Sequence, residues 1–520
     1  MKEDKTKGFL RITLIVMIGN LLTKVIGMLR EVYLAKYYGA GMYTDAYIIA
    51  NNIPSIIFGV VGVALASSFI PIYSEVNERD GKNEAVKFTS NLISILLVGC
   101  TIITIFGEVF TKQFISIFAM GFQGETLDYA IKFSRILMPC IFVMALMNVA
   151  GSFLQVNNDF KVIGYVSIPC NIIIILATIF SYKLENIYIL IFGTLIGSFI
   201  QLVYYYPFIK RNGFKFKFRI DLKNKYIRQL SIVIIPVILG EAVNEVNRIV
   251  DKTLVSGLDT GSISALNYAD KLIGVFTGVF VVSITTLIYP KLSKLIAENN
   301  RDEFNQILKK FINVITLMVI PIIAVILVLS PFIVKLVFER GTFDSESTKM
   351  TYEALNCYAI GLLGISMRDI LIKVFYCLKD TKTPMVNGVI CSFLNIPLSI
   401  ILIKIIGYKG AALATSIVSI VCVLRLMYQI TKKVEGIDFK DSMICIQKSL
   451  IAIIVPFVGL KFFFDYLMSF EINMILNVFI LGIAVLVVLS IYVGLLILLK
   501  SKEALNCLNF IRRDGIRNEK

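Results

Sequence analysis

Apolar stretches follow one another almost without interval from Phe9 to Leu499, broken only by charge, glycine or proline. The runs lie near 9–36, 44–75, 86–110, 127–155, 160–182, 186–209, 228–256, 262–294, 303–329, 347–378, 383–406, 409–431, 444–467 and 472–500. Crossing a hydrocarbon core takes roughly 20 apolar residues. Backbone amides in lipid need partners within their own segment, so runs of this length predict helices rather than strands. The expected fold is an all-α polytopic membrane protein with about 14 transmembrane helices.

Composition supports that solvent. A 520-residue chain with 57% hydrophobic and only 17% charged residues does not fit a water-exposed surface. The net charge of +16 raises the question of nucleic acid, but the excess sits between spans, as the positive-inside rule requires, so no nucleic-acid partner is expected. Its densest part joins spans 6 and 7, where Lys210, Arg211, Lys215, Lys217, Arg219, Lys223, Lys225 and Arg228 face one acid, Asp221. That loop is expected on the cytoplasmic side, with those at Asn77–Glu84, Lys291–Asp302, Lys379–Lys382 and Lys432–Lys440 and with both termini. The opposite loops Gly39–Met42, Ser256–Gly261 and Ser469–Asn473 carry no positive charge. Alternation of Lys215, Phe216, Lys217, Phe218 and Arg219 reads as a basic amphipathic segment on anionic lipid. The charged start, Met1–Lys7, and the long run after it read as a retained first helix.

Nine cysteines are scattered singly and none forms a C-x-x-C, so they read as small core residues. Histidine is absent, which removes Ser-His-Asp and Cys-His catalysis and every His-ligated metal site.

An internal repeat divides the chain. At constant offset Ala46 pairs with Ala265, Ala50 with Ala269, Gly59 with Gly278, Pro71 with Pro290 and Ser74 with Ser293. One residue of shift upstream pairs Glu31 with Asp251, Leu34 with Leu254 and Gly41 with Gly261. Copies offset by six spans enter the membrane the same way, so the expected organisation is two parallel six-helix lobes. These are an N-lobe at 1–210, a basic linker at 211–227 and a C-lobe at 228–435, with two further helices and a tail at 436–520. Repeat transporters place substrate between the halves and alternate access by rocking one against the other.

Charge inside spans narrows the chemistry, because an ionisable group at mid-bilayer costs about 2.5–3.5 kcal/mol on insertion scales. Span 1 carries Lys24, Arg30 and Glu31, with Gly27 between the cations. Span 7 carries Glu241, Asn244, Glu245, Asn247, Arg248, Asp251 and Lys252, and Glu241, Glu245, Arg248 and Lys252 share a helix face. Span 8 begins with Asp270 and Lys271, and span 10 holds Arg368, Asp369 and Lys373. Paired charges holding helices together account for the span 7 set as well as a ligand site does. Lys24, Arg30 and Lys271 have few acids near them in sequence and suit a cavity for an anion, phosphate above all.

The run from Lys24 to Glu31 (KVIGMLRE), then Tyr38–Gly41, Thr44–Tyr47 and Ile53–Pro54, resembles the amino-terminal signature of the MurJ (MviN) family of lipid II flippases. Asn267–Leu272, Phe338–Asp344, and Phe375–Tyr376 followed by Asp380–Pro384 resemble its later signatures. The resemblance implies a multidrug/oligosaccharidyl-lipid/polysaccharide exporter fold around a cationic cavity, with two extra helices forming a groove for a lipid tail. It implies a bacterial cytoplasmic membrane protein that flips the undecaprenyl-pyrophosphate-linked peptidoglycan precursor, lipid II, and has membrane lipids and cell-wall synthesis proteins as partners. The family's cavity cations fall on Lys24, Arg30 and Lys271, and its acid early in span 2 on Asp45. Family members usually carry Arg at the first and third of these positions, and lysine lacks the bidentate fork. Many also carry Arg shortly after the Ile-Pro, where this chain has Phe58 and Gly59; Arg248 or Arg368 would compensate. Relatives with a sodium site place it where Asp251, Asn395 and Thr415 fall, oxygen donors that suit a hard cation. Coupling is expected from sodium or the membrane potential, with no other cofactor.

Other readings are a flippase for a different lipid-linked oligosaccharide, a drug exporter of the same fold, a polyprenyl-phosphate membrane enzyme, or a cell-wall scaffold. Such enzymes commonly need clustered acids in a loop, whereas the longest loops here offer mainly Lys and Arg. A scaffold leaves the intramembrane charges without a purpose.

Overall fold

The computed structural model describes residues 2–501 apart from 299, 435, 471 and 472, with the backbone alone for 2–17 and for parts of 57–67, 236–248 and 279–299. Among the described residues there are eighteen helices and no strand. They are α1 (Lys2–Tyr38), α2 (Met42–Arg79), α3 (Lys82–Val109), α4 (Thr111–Phe118), α5 (Gly124–Leu137), α6 (Cys140–Val156), α7 (Phe160–Tyr165), α8 (Ser167–Lys183) and α9 (Tyr188–Arg211). Then follow α10 (Lys225–Val255), α11 (Ser262–Ala297), α12 (Arg301–Phe338), α13 (Ser345–Ile360), α14 (Leu362–Cys377), α15 (Lys382–Ile406), α16 (Lys409–Lys433), α17 (Lys440–Met468) and α18 (Met474–Leu498).

Every predicted apolar run coincides with one helix or with a broken pair: α5 with α6, α7 with α8, and α13 with α14. Taking each pair as one span and α4 as a short connector gives the fourteen expected crossings. Among the described residues eight single helices and the pair α7–α8 taken together are long and apolar enough to cross a membrane, and the pair α5–α6 makes a tenth span. That pair bends by 43° at Pro139, which has no N–H to continue the ladder. The break between α13 and α14 falls at Gly361, whose missing side chain lets α16 approach; a Cβ there would lie 2.5 Å from the Cα of Ser416.

The chain divides into two compact units, one of Met1–Tyr268 with Phe338–Ser347, the other of Ala269–Val337 with Thr348–Lys520. In the first, α2 is the axis, packed against α3, α5, α6 and α10. Ala46, Ile49, Ala50, Ile53, Ala64, Leu65, Phe69, Ile72, Tyr73 and Val76 supply its buried face, spaced by three and four residues. In the second, α15 and α14 pack on α16, and α17 pairs with α18. The α17–α18 hairpin is seated on α12, where Val328, Leu329 and Phe332 meet Leu460, Phe464, Leu481 and Val488. Its other side is bare: Ile475 is 75% exposed and Phe479 71%, which suits lipid and not water. The lobes expected from the repeat describe chain symmetry rather than contact, and they stay a proposal; the two helices it pairs, α2 and α11, run to 38 and 36 residues.

Candidate functional site

Helix α1 carries two of the expected cations in different states. Lys24 is exposed, and among the described residues it has no ion pair or hydrogen bond. It lies fourteen residues, or about 21 Å of helix, before the end of α1 at Tyr38. Arg30 is half-buried and doubly held: Nη2 donates to Glu31 Oε1 at 2.6 Å and Nη1 to Asn171 Oδ1 on α8 at 3.1 Å. Asn171 is oriented in turn by donating to Ser167 O at 2.9 Å. Glu31 is only 4% exposed, so Arg30 supplies its neutralising charge. The helix passes Gly27 without a break.

Asp45, in the first turn of α2, is 3% exposed. Its carboxylate accepts from the backbone N–H of Gly261 at 2.7 Å and of Ser264 at 2.8 Å, and from the Ser264 hydroxyl. These donors open α11, whose first N–H groups have no partner within the helix, and a carboxylate there also meets the positive end of the helix dipole. Asp45 is thus a clamp from α2 onto the N-terminus of α11.

The clamp belongs to a larger latch built mainly from main-chain atoms. Lys36 O, in the last turn of α1, accepts from Thr342 N at 2.9 Å and Thr342 Oγ1 at 3.2 Å. Gly341 has φ +67° and a Cβ there would lie 2.2 Å from Lys36 O; Gly261 has φ +92° and a Cβ would lie 2.6 Å from Ala40 O. Both demand glycine twice over, for backbone conformation and for space. Tyr268, fully buried between Phe338 and Phe343, donates its hydroxyl to Gly39 O at 3.3 Å. Asp344 caps α13 through Ser347 N at 2.8 Å, and this hydrogen bond holds its carboxyl below the usual range. On the flank, Gly121 N donates to Ser256 Oγ at 2.9 Å and Thr253 Oγ1 to Ile117 O at 2.8 Å. Three of the signature segments read from the sequence, at Tyr38–Gly41, Asn267–Leu272 and Phe338–Asp344, therefore contribute residues to one cluster of contacts.

In the second unit Lys271 is exposed beside an exposed Asp270, with no ion pair among the described residues. Arg368 stands 3.6 Å from Asp369. Sequence reasoning passed over Arg425, the lone cation in the apolar stretch of α16, although that isolation was the signal. Its Nε is buried without a hydrogen bond among the described residues. The side chain of Arg248 lies outside the described residues, as do those of Glu241, Asn244 and Asn247. Of the expected sodium ligands, Asp251 belongs to the first unit, while Asn395 and Thr415 sit on the paired helices α15 and α16 of the second. Thr415 Oγ1 donates to Ala411 O at 3.1 Å, which leaves its lone pairs available. No group of three or more His, Cys, Asp or Glu suited to a metal occurs among the described residues.

Residues 34–481 match the family model of the lipid II flippase MurJ. The probable lipid II flippase MurJ of Buchnera aphidicola subsp. Baizongia pistaciae is 30% identical over 407 residues, 76% of this chain and 79% of that protein. That of Vibrio cholerae serotype O1 is 28% identical over 423 residues, 79% and 81% of the two chains. A solved structure of lipid II flippase MurJ in an inward closed conformation has a TM-score of 0.79 at 30% identity, covering 93% of this chain and 98% of its own. An inward-facing multidrug resistance MATE family transporter of the MOP superfamily, 14% identical with a TM-score of 0.64 over 80% of this chain, shares the fold. The chain belongs to the lipid II flippase MurJ family.

Proposed function

We propose that this chain carries lipid II from the inner to the outer leaflet of the cytoplasmic membrane by alternating access, supplying cell-wall synthesis. The observation that carries the reading is Lys24: a cation about 21 Å from the end of its helix, exposed and without a partner among the described residues. A charge so placed in a span is costly unless something anionic reaches it, and a pyrophosphate is such a group. Arg30, fixed in direction by Glu31 and Asn171, offers a second donor set, and Lys271, Arg248 and Arg368 are the further cations assigned to the headgroup. Asp45 serves this cycle as a clamp that keeps the outer end shut while the headgroup enters from the cytoplasmic side. The polyprenyl tail stays in lipid, so cell-wall enzymes downstream receive the precursor still membrane-bound. A sodium ion, for which Asn395 and Thr415 on the paired helices α15 and α16 offer oxygen donors, resets the cycle with the membrane potential.

Reconstitution in vesicles with labelled lipid II tests the reading. Lys24→Ala is expected to reduce crossing at least about tenfold, which corresponds to the loss of one charge-assisted contact of about 1.4 kcal/mol or more, while Lys24→Arg keeps it. Thermal stability should be unchanged in both, since Lys24 holds nothing in place. Full crossing by Lys24→Ala would remove the central support.

A further inference from the structure

Between α9 and α10 the chain does not form a helix. Residues 212–224 form a strap, with turns at 212–213 and 222–223 and no regular structure at 214–221, pinned along the first half of α3. Asn212 Nδ2 donates to Asp159 Oδ2 at 2.5 Å at one end, and at the other the Asn224 side chain caps α10 by accepting from Tyr226 N at 2.9 Å. In between, Ser94 Oγ accepts from Arg219 N at 3.0 Å, and the Asn91 side chain exchanges two hydrogen bonds with the backbone of Asp221, at 2.8 and 2.9 Å. Phe214 turns inward against the ring of Phe153. Apart from the Phe214 ring these ties use backbone or small polar groups, so the other large side chains of the strap are left outside.

Two sets of side chains remain exposed. Phe216 (46% exposed), Phe218 (66%) and Ile220 (49%) form one set at every second position, which an extended chain places on a common face, and Leu222 (68%), in the turn that follows, is exposed as well. Lys215, Lys217, Arg219 and Lys223 form the other; Arg219 is paired with Asp221 at 3.3 Å, while the ammonium groups of the three lysines have no acidic partner among the described residues. The strap leaves one membrane helix and enters the next, so it cannot stray far from the bilayer boundary. Four large apolar side chains held outward at that boundary, interleaved with unpaired cations, match the acyl margin and the anionic headgroups of one leaflet. A folded protein partner would more often be met by a patch whose charges are paired or absent at its centre.

We propose that residues 212–224 are a binding element for anionic phospholipid: Phe216, Phe218, Ile220 and Leu222 enter the edge of the acyl region, and Lys215, Lys217 and Lys223 gather phosphate-bearing headgroups around it. The inference does not depend on what the protein transports. The chain contains no tryptophan, so Phe218→Trp creates a single fluorescent reporter on the strap. The full chain is reconstituted in nanodiscs of phosphatidylcholine mixed with phosphatidylglycerol, with bromine on the acyl chains of one lipid or the other. The reporter should be quenched, and more strongly when the phosphatidylglycerol is brominated. Changing Lys215, Lys217 and Lys223 to Gln should weaken that preference about fivefold for each lysine removed. Phe479→Trp, on the bare face of α18, serves as a folded, lipid-exposed reference and should be quenched equally by both lipids. Emission from the strap reporter that is typical of water and insensitive to either brominated lipid would overturn the proposal, as would equal quenching by both lipids unaffected by the lysine changes; the first outcome would point to a protein partner instead.

Discussion

The latch and the middle of α1 are held by opposite means. At the turns joining α1 to α2, α10 to α11 and α12 to α13, carbonyls and N–H groups meet directly, two glycines make room, and one carboxylate finishes a helix end. Halfway along α1 the ties are side chains: an arginine between a carboxylate and an amide, and a lysine tied to nothing among the described residues. Main-chain contacts form or fail as a unit, since a turn cannot move one carbonyl without its neighbours. Side-chain charges can exchange partners one at a time. A closure that must be either shut or open is suited to the first kind of bond, and a surface that must take up and release an anion to the second.

Arg30 gives the largest expected effect. Arg30→Ala strands the buried Glu31 carboxylate, and breaking a pair of that kind costs about 3–5 kcal/mol, read as a fall in thermal stability in detergent. Adding Glu31→Gln removes the stranded charge and should restore most of the stability. If transport in vesicles stays lost in the stable double variant, Arg30 acts on cargo as well as on Glu31; if transport returns with stability, its role is confined to holding α1 against α8.

Asp45→Ala should cost less, because the groups it strands are neutral: two N–H donors and one hydroxyl, at about 1–3 kcal/mol for those left fully dry. The damage should be local. Hydrogen exchange at Gly261 and Ser264 is expected to accelerate, with protection at Ala46–Ala50 on α2 kept. A uniform loss of protection would mean that the latch is part of the core of this unit and not a separable closure.

These two sites were not equally legible in the sequence. Helix positions followed from apolar run length alone, and each of the fourteen apolar runs coincides with a helix or a broken pair because lipid imposes one length scale. Breaks inside spans were harder to see: Pro139 announces the bend between α5 and α6, but Gly361 is explained only by Ser416, which arrives from another helix further along the chain. Lys24 and Arg30 stood out as charges in an apolar run. The partner of Arg30 on α8 did not, since Asn171 is 141 residues away. Asp45 was marked by its resemblance to a family position, yet its function as a helix clamp depends on donors 216 and 219 residues distant. The alternating strap was visible as alternation; that its backbone is pinned to α3, turning both sets of side chains outward, required the fold.

An ion pair at a water-facing turn should matter far less than either site. Asp380, in the turn between α14 and α15, accepts from Thr383 N at 3.0 Å and pairs with Lys433 at the end of α16. Burial alone would raise its carboxyl, but the hydrogen bonds from Lys433 and Thr383 outweigh that and bring it to about 2 from an ordinary value of 3.8. A depressed carboxyl stabilises the fold above its unfolded value and loses that contribution as pH falls through its folded value. The Asp380 contribution should therefore be complete above about pH 4 and gone near pH 2. Lys433 is 45% exposed, and solvent screening limits the pair to about 1 kcal/mol or less. Asp380→Asn should lower thermal stability slightly at neutral pH, with the gap to the unaltered protein closing between about pH 4 and pH 2 and narrowing in high salt. A gap as large as that of Arg30→Ala, or one that does not change with pH, would show that this turn is held by packing and that the contrast between exposed charge and enclosed charge does not govern the molecule.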